Sequence, residues 1–145
     1  MNRRQFITCL SLSPLVVHSG LSQAASAKPL VLPLWPGQPP GGGGPLGAMH
    51  FTARGAQSNI AMPTLTVLQP VTPNGHAVLI AAGGGYTRIE MGKEAWPAAA
   101  WLASHGYTAY VLSYRLPPEG WKDGALVALQ DAQRALRMVR HREQH

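Results

Sequence analysis

A chain of 145 residues, 46% hydrophobic and 12% charged, has the composition of a globular protein and the length of a single domain. The formal charge of +6 gathers partly at Arg134, Arg137, Arg140 and Arg142, where cations complement the negative end of a helix dipole; no basic face interleaved with aromatic residues accompanies them, which excludes a nucleic-acid partner. The single cysteine, Cys9, excludes a disulfide framework and a cysteine-based metal site.

Residues 1–27 read as an export signal. Arg3-Arg4 leads, an apolar stretch over 6–17 follows, and Ala25-Ser26-Ala27 offers the small-x-small pattern at which signal peptidase cuts. Ser11, Ser13 and Pro14 interrupt an apolar stretch that is short for a bilayer span, so no stable membrane anchor is expected. Arg3-Arg4 ahead of Phe6 also fits the twin-arginine pattern, with Asn2 where Ser or Thr is usual; an ordinary secretory start with two arginines is the alternative. Either route leads to a periplasmic or secreted protein whose domain is residues 28–145. Cys9 falls inside the signal, leaving that domain without a thiol.

Residues 29–45 are dense in proline and glycine, including Gly41-Gly42-Gly43-Gly44, and are expected to wrap the surface as a loop without a ladder or helix. Short strands are expected around 50–52 and 65–68 as an antiparallel lead-in, followed by a turn at Pro70, Pro73 and Asn74-Gly75. The unbroken apolar run 77–82 predicts a strand covered on both faces of a parallel sheet. A helix is predicted over 93–105, with Ala95, Ala98, Ala99 and Leu102 on one face, Pro97 near its start and Gly106 at its end. Residues 108–113 form the next strand, and Leu126, Leu129, Ala132, Leu136 and Val139 then mark a helical stripe. This order of strand, helix, strand and helix is that of a parallel α/β architecture with a right-handed crossover.

The run 76–86 ends an apolar strand in Gly83-Gly84-Gly85-Tyr86. Ester hydrolysis passes through a tetrahedral stage with a negative oxygen, and fixed backbone amides stabilise it without reorganising. Glycines suit such a corner because no side chain blocks the incoming carbonyl. Gly84 and Gly85 are therefore the candidate donors, and a strand-to-helix turn with no ligand fits the same spacing. Nucleotide binding is the weaker alternative. The dinucleotide pattern would need a third glycine at Arg88, and the P-loop pattern fails at Thr87 and at Glu94.

Five segments in order, Leu34-Trp35-Pro36-Gly37, Pro63-Thr64-Leu65-Thr66-Val67, Gly83-Gly84-Gly85-Tyr86, Ser113-Tyr114-Arg115-Leu116-Pro117-Pro118 and Asp131-Ala132-Gln133-Arg134-Ala135-Leu136, together resemble the acetyl-xylan-esterase and acetyl-esterase/lipase branch of the α/β-hydrolases. The resemblance spans nearly all of 28–145. It implies an incomplete α/β-hydrolase fold, a mostly parallel sheet with flanking helices, and a serine esterase acting on small esters or acetylated carbohydrates with no metal or organic cofactor. It also places oxyanion amides on Gly84 and Gly85 and a substrate-bordering ring on Tyr86. Related lipases carry His before the glycines, where Ala82 stands here. Arg115 and Asp131 are expected to form a structural ion pair or hydrogen bond rather than to touch substrate.

No Gly-x-Ser-x-Gly turn occurs: Ser58, Ser104 and Ser113 all lack the flanking glycines. Ser104 and His105 are neighbours at a helix end whose side chains are expected to point apart. His141, Glu143 and His145 lack the order of a zinc site, since Arg142 stands where the Glu would be needed. The reading is therefore the front portion of an exported serine esterase that supplies the oxyanion turn. Its alternative is an inactive truncated remnant that self-associates through an open sheet edge.

Overall fold

A computed structural model describes residues 28–144; the expected export signal at 1–27, and His145, lie outside the described residues. In chain order the elements are β1 (Leu30–Pro33), β2 (His50–Phe51), β3 (Gln57–Ser58), β4 (Thr64–Leu68), β5 (Ala77–Ile80), a π-helical turn (Met91–Ala95), α1 (Trp96–Ser104), β6 (Thr108–Ser113) and α2 (Leu126–Glu143). Four strands make one sheet in the order β1-β4-β6-β5, and β2 pairs with β3 in a separate hairpin.

The sheet is mixed rather than mostly parallel. β1 and β6 flank β4 in antiparallel register, and only β5 and β6 run parallel, with Val78 opposite Ala109 and Ile80 opposite Val111. The expected antiparallel lead-in is therefore present, and it continues across to β6. A second difference lies at the start. Residues 30–33 form a ladder inside a stretch read as loop, because Pro29 and Pro33 fall at the ends of an edge strand, where a missing amide proton costs no interior hydrogen bond.

β6 is buried almost throughout, and its alternation sorts the layers. Tyr110 reaches α2 through a hydrogen bond of 2.6 Å from its hydroxyl to Glu143, and Leu112 shares a cleft with Ala128 and Leu129 of that helix. Ser113, on the opposite face, donates to the Gln57 side chain of β3 at 2.9 Å. Burial and the carboxylate of Glu143 push the Tyr110 phenol up from its ordinary value. β5 differs from expectation. It ends at Ile80 and stays partly exposed along its length instead of being covered on both faces, while its place at the sheet edge matches the open edge of the alternative reading. Ala81 and Ala82 leave the ladder and turn toward the cleft instead.

The helix expected over 93–105 begins as a π-helical turn and continues as α1, with Ala95 and Ala99 buried and Ala98 exposed. Its end is the one expected: Gly106, at φ +87°, lets its own N–H return to Ala103 and that of Tyr107 to Leu102, a double closure that satisfies orphan carbonyls. Asn74 is drawn into the same closure, since its backbone N–H donates to Gly106 and its side chain to the His105 carbonyl.

In α2 the expected stripe is displaced. The buried positions are Val127, Ala128, Asp131, Ala135 and Val139, while Leu126, Leu129 and Leu136 are about half exposed. Small side chains let the helix lie close against the strands, and the inward row is broken by a carboxylate that hydropathy reads as surface. That carboxylate, Asp131, is fully buried because Arg115 is fully buried beside it.

Candidate functional site

The β5 strand releases the chain at Ala81, and the next residues make a corner rather than a helix start. Gly84 (φ +137°), Gly85 (φ +63°) and Tyr86 (φ +59°) all take backbone angles that favour glycine. At Gly84 the requirement is also steric, because a Cβ there would stand 2.1 Å from the Arg88 carbonyl oxygen. At Gly85 the space is open.

Most of the corner's polar groups are committed internally. The Gly83 N–H donates to Glu94 Oε2 at 2.7 Å, the Gly83 carbonyl accepts from the Glu90 N–H at 2.9 Å, and the Gly84 carbonyl accepts both the N–H and the hydroxyl of Thr87. The N–H groups of Gly84 and Gly85 donate to no acceptor among the described residues. The corner borders a cleft of about 490 Å³, whose other walls include Leu112, Tyr114, Ala128 and Leu129. The lining is apolar apart from the backbone and the two tyrosines. Apart from the tyrosines, such an apolar wall offers no side-chain acceptor to compete for an exposed amide dipole.

Tyr86 and Tyr114 stand edge to face with ring centroids 6.4 Å apart at the rim. The Tyr114 hydroxyl donates to the Ala82 carbonyl at 2.7 Å and fixes the exit of β5. Burial raises the Tyr114 phenol above its ordinary value, so it stays a donor throughout the neutral range. Glu94 and Tyr114 are the residues that sequence reasoning missed as supports of the corner. The signal for Glu94 was an acid just ahead of the helix that follows a glycine turn.

Arg115 and Asp131 form the ion pair expected of them, fully buried and joined by Nε and Nη2 contacts of 2.8 to 3.1 Å, with the Arg115 backbone N–H adding another at 2.9 Å. Trp35 Nε1 donates to the same carboxylate at 2.8 Å, and the guanidinium lies 4.9 Å from the Trp121 ring centroid. Arg115 Nη1 also donates to the Pro40 carbonyl. This knot fastens loop 35–44 to α2 and points no group into the cleft.

Ser104 and His105 correct another expectation: their side chains do not diverge, and Ser104 Oγ lies 3.1 Å from His105 Nδ1. The pair is still no nucleophile and base. Ser104 Oγ donates to the Trp101 carbonyl at 2.7 Å, and Nδ1 approaches that same oxygen at 2.8 Å, which makes Nδ1 a proton donor. The ring stacks on Trp101 at 4.2 Å, and both residues are exposed and apart from the cleft. No group of three metal-ligating side chains occurs among the described residues, and none of their helices is long and apolar enough to cross a membrane.

A mixed α/β sheet with a glycine corner opening on an apolar cleft is the arrangement, and comparison with known proteins relates it to ester hydrolases. An acetylxylan esterase of Xylanibacter ruminicola is 31% identical over 71 residues, which are 49% of this chain and 14% of that protein. The crystal structure of an acetyl ester-xyloside bifunctional hydrolase from Caldicellulosiruptor lactoaceticus superposes with a TM-score of 0.53 at 30% identity, covering 79% of this chain and 37% of the other. The chain thus spans well under half the length of either protein. No family model matches it.

Proposed function

We propose that this chain carries the oxyanion-stabilising part of an exported serine ester hydrolase acting on acetyl esters of carbohydrates, with the nucleophile, acid and histidine supplied by polypeptide beyond the sequence given. The observation that carries the reading is the pair of unengaged N–H groups on Gly84 and Gly85 at the rim of the apolar cleft. Two donors on fixed backbone are worth most where charge develops on an acyl oxygen. Tyr86 would border the acyl group, and Glu94 and Tyr114 would hold the corner's angle from behind. The likeness to two acetyl-ester hydrolases supports the substrate class.

The chain of 145 residues is expected to give no turnover of p-nitrophenyl acetate, because it has no Gly-x-Ser-x-Gly turn and none of the described serines, Ser58, Ser104 and Ser113, has a competent base. Reading the coding DNA downstream and expressing the longer product is the decisive step. A Gly-x-Ser-x-Gly turn with esterase activity supports the reading. In that product a phosphonate that labels the serine should shift the Gly84 and Gly85 amide resonances. Gly84→Ala keeps the N–H but sets a Cβ against the Arg88 carbonyl oxygen, so it should displace the corner and lower kcat about 100-fold, the loss typical of one displaced oxyanion donor, in a product whose circular dichroism stays that of the folded enzyme. An active longer product in which neither amide responds to the phosphonate would sink the role given to the corner. A stop codon after His145 would favour an inactive remnant.

A further inference from the structure

A second hollow, of about 310 Å³, is lined by Thr52, Arg54, Ala56, Arg88, Glu90 and Lys93. Three cations face one carboxylate there. Glu90 is committed to Arg88, and neither Arg54 nor Lys93 forms a salt bridge among the described residues. The field of all three cations reaches the hollow. The Arg88 hydrogen bond chiefly, with the charges of Arg88, Lys93 and Arg54 behind it, holds the Glu90 carboxyl below the usual carboxylate range.

The backbone that carries the three exposed cationic side chains is tied together. In the tip of the β2–β3 hairpin the Thr52 N–H meets the Ala56 carbonyl at 2.9 Å, the Gly55 N–H meets the Thr52 carbonyl at 2.9 Å, and Thr52 Oγ1 accepts from the Ala56 N–H at 3.0 Å. Gln57 and Ile89 exchange two backbone hydrogen bonds of 2.9 and 2.8 Å, tying the hairpin to the segment that bears Arg88 and Glu90. Gly92 sits so close beneath Arg54 that a Cβ on it would stand 2.0 Å from the Arg54 carbonyl oxygen. The same short segment also forms the glycine corner, since the Glu90 N–H closes on Gly83 and the Arg88 carbonyl abuts Gly84.

We infer that this hollow binds the carboxylate of an acidic sugar. The carboxylate follows from the three cations; the sugar rests on the ester-hydrolase reading above. Two guanidinium forks and an ammonium suit a single carboxylate, and the volume, at the low end of small-molecule sites, suits one sugar ring. Phosphate fits less well, because the N–H groups of Gly55 and Ala56 are already spent within the hairpin and no backbone cradle is left there to take a third oxygen. A saccharide held by its acidic unit here would lie alongside the segment whose first residues form the corner.

The test is calorimetric titration of the full chain with D-glucuronate, with D-glucose and inorganic phosphate as parallel arms. Glucuronate should bind at low salt and lose affinity as salt rises, glucose should not bind, and phosphate should bind at least tenfold more weakly than glucuronate. Arg54→Gln and Lys93→Gln should each weaken glucuronate about tenfold, the worth of one charge-assisted hydrogen bond, with thermal unfolding unchanged. Absence of glucuronate binding, equal binding of glucose, tighter binding of phosphate, or unaltered affinity in both variants would overturn the proposal. The titration involves no ester chemistry. Glucuronate binding beside an inactive longer product overturns the esterase reading alone, and an active product that ignores glucuronate overturns the acidic-sugar site alone.

Discussion

Two glycine runs on this chain look alike on paper and do opposite things. Gly41, Gly42, Gly43 and Gly44 all have positive φ, as do Gly84 and Gly85. The first run is spent on the fold. The Gly44 N–H donates to the Gly120 carbonyl at 3.0 Å, the carbonyls of Gly42 and Gly41 accept from Lys122 and Asp123, and the Trp121 ring lies against Gly44 where a Cβ would otherwise stand. The second run has two N–H groups without an acceptor among the described residues, on glycines that line a cleft. A cluster of glycines therefore says only that the backbone makes an unusual turn or a close approach. What stands against the turn decides whether it can hold a ligand: Trp121 and the Gly120 carbonyl press on Gly44 and Gly43, whereas Gly84 and Gly85 border an open cleft.

The strongest way to break the first run is through the knot beneath it. Asp131→Ala leaves the Arg115 guanidinium buried without its counter-ion, and a loss of about 3–5 kcal/mol is expected in urea unfolding. Because Arg115 also holds the Pro40 carbonyl, protease cleavage within 35–44 should rise in the same variant. Gly44→Ala comes next, at about 2–3 kcal/mol: the new Cβ would meet Trp121 ring atoms at 2.4 to 2.6 Å, and φ +97° is strained for alanine. Gly85→Ala should cost only about 1 kcal/mol, since φ +63° is its one penalty and no atom lies within 4 Å of the added carbon. A loss at Gly85 equal to that at Gly44 would erase the contrast.

The smallest effect concerns acidity. Arg88 holds the Glu90 carboxyl below its ordinary value of about 4.5, so the carboxylate's contribution is complete above that pH and fades as the pH falls through the lowered value. The stability difference between wild type and Glu90→Gln should accordingly be flat from neutrality down to about pH 4.5 and shrink below it, as measured by unfolding across that range.

What could be read in advance follows from how local each cause is. The strand Thr108–Ser113 and the helix stop at Gly106 depend on residues within a few positions, and both stand where expected. The ladder at Leu30–Pro33 depends on partners more than thirty residues away in β4, which no local pattern announces. The inward face of α2 was hidden for a different reason. Its buried row contains Asp131, whose apolarity index is that of a surface residue until Arg115 is known to lie against it. The leucines of the neighbouring row carry the same period and so claimed the face. At the site, the glycines announced a corner, but only the fold revealed that Glu94 occupies the first amide and leaves the next two unengaged.

The wide turn at Met91–Ala95 sets a phase as well as a shape. An α-helix advances about 100° per residue, and a π-helical turn accommodates one residue more than that winding allows. Deleting a single residue there would restore ordinary winding and swing the Glu94 carboxylate away from the Gly83 amide it now grips at 2.7 Å. The geometry of the glycine corner is thus timed by a helix it does not belong to, and it can be lost without altering any of its own atoms.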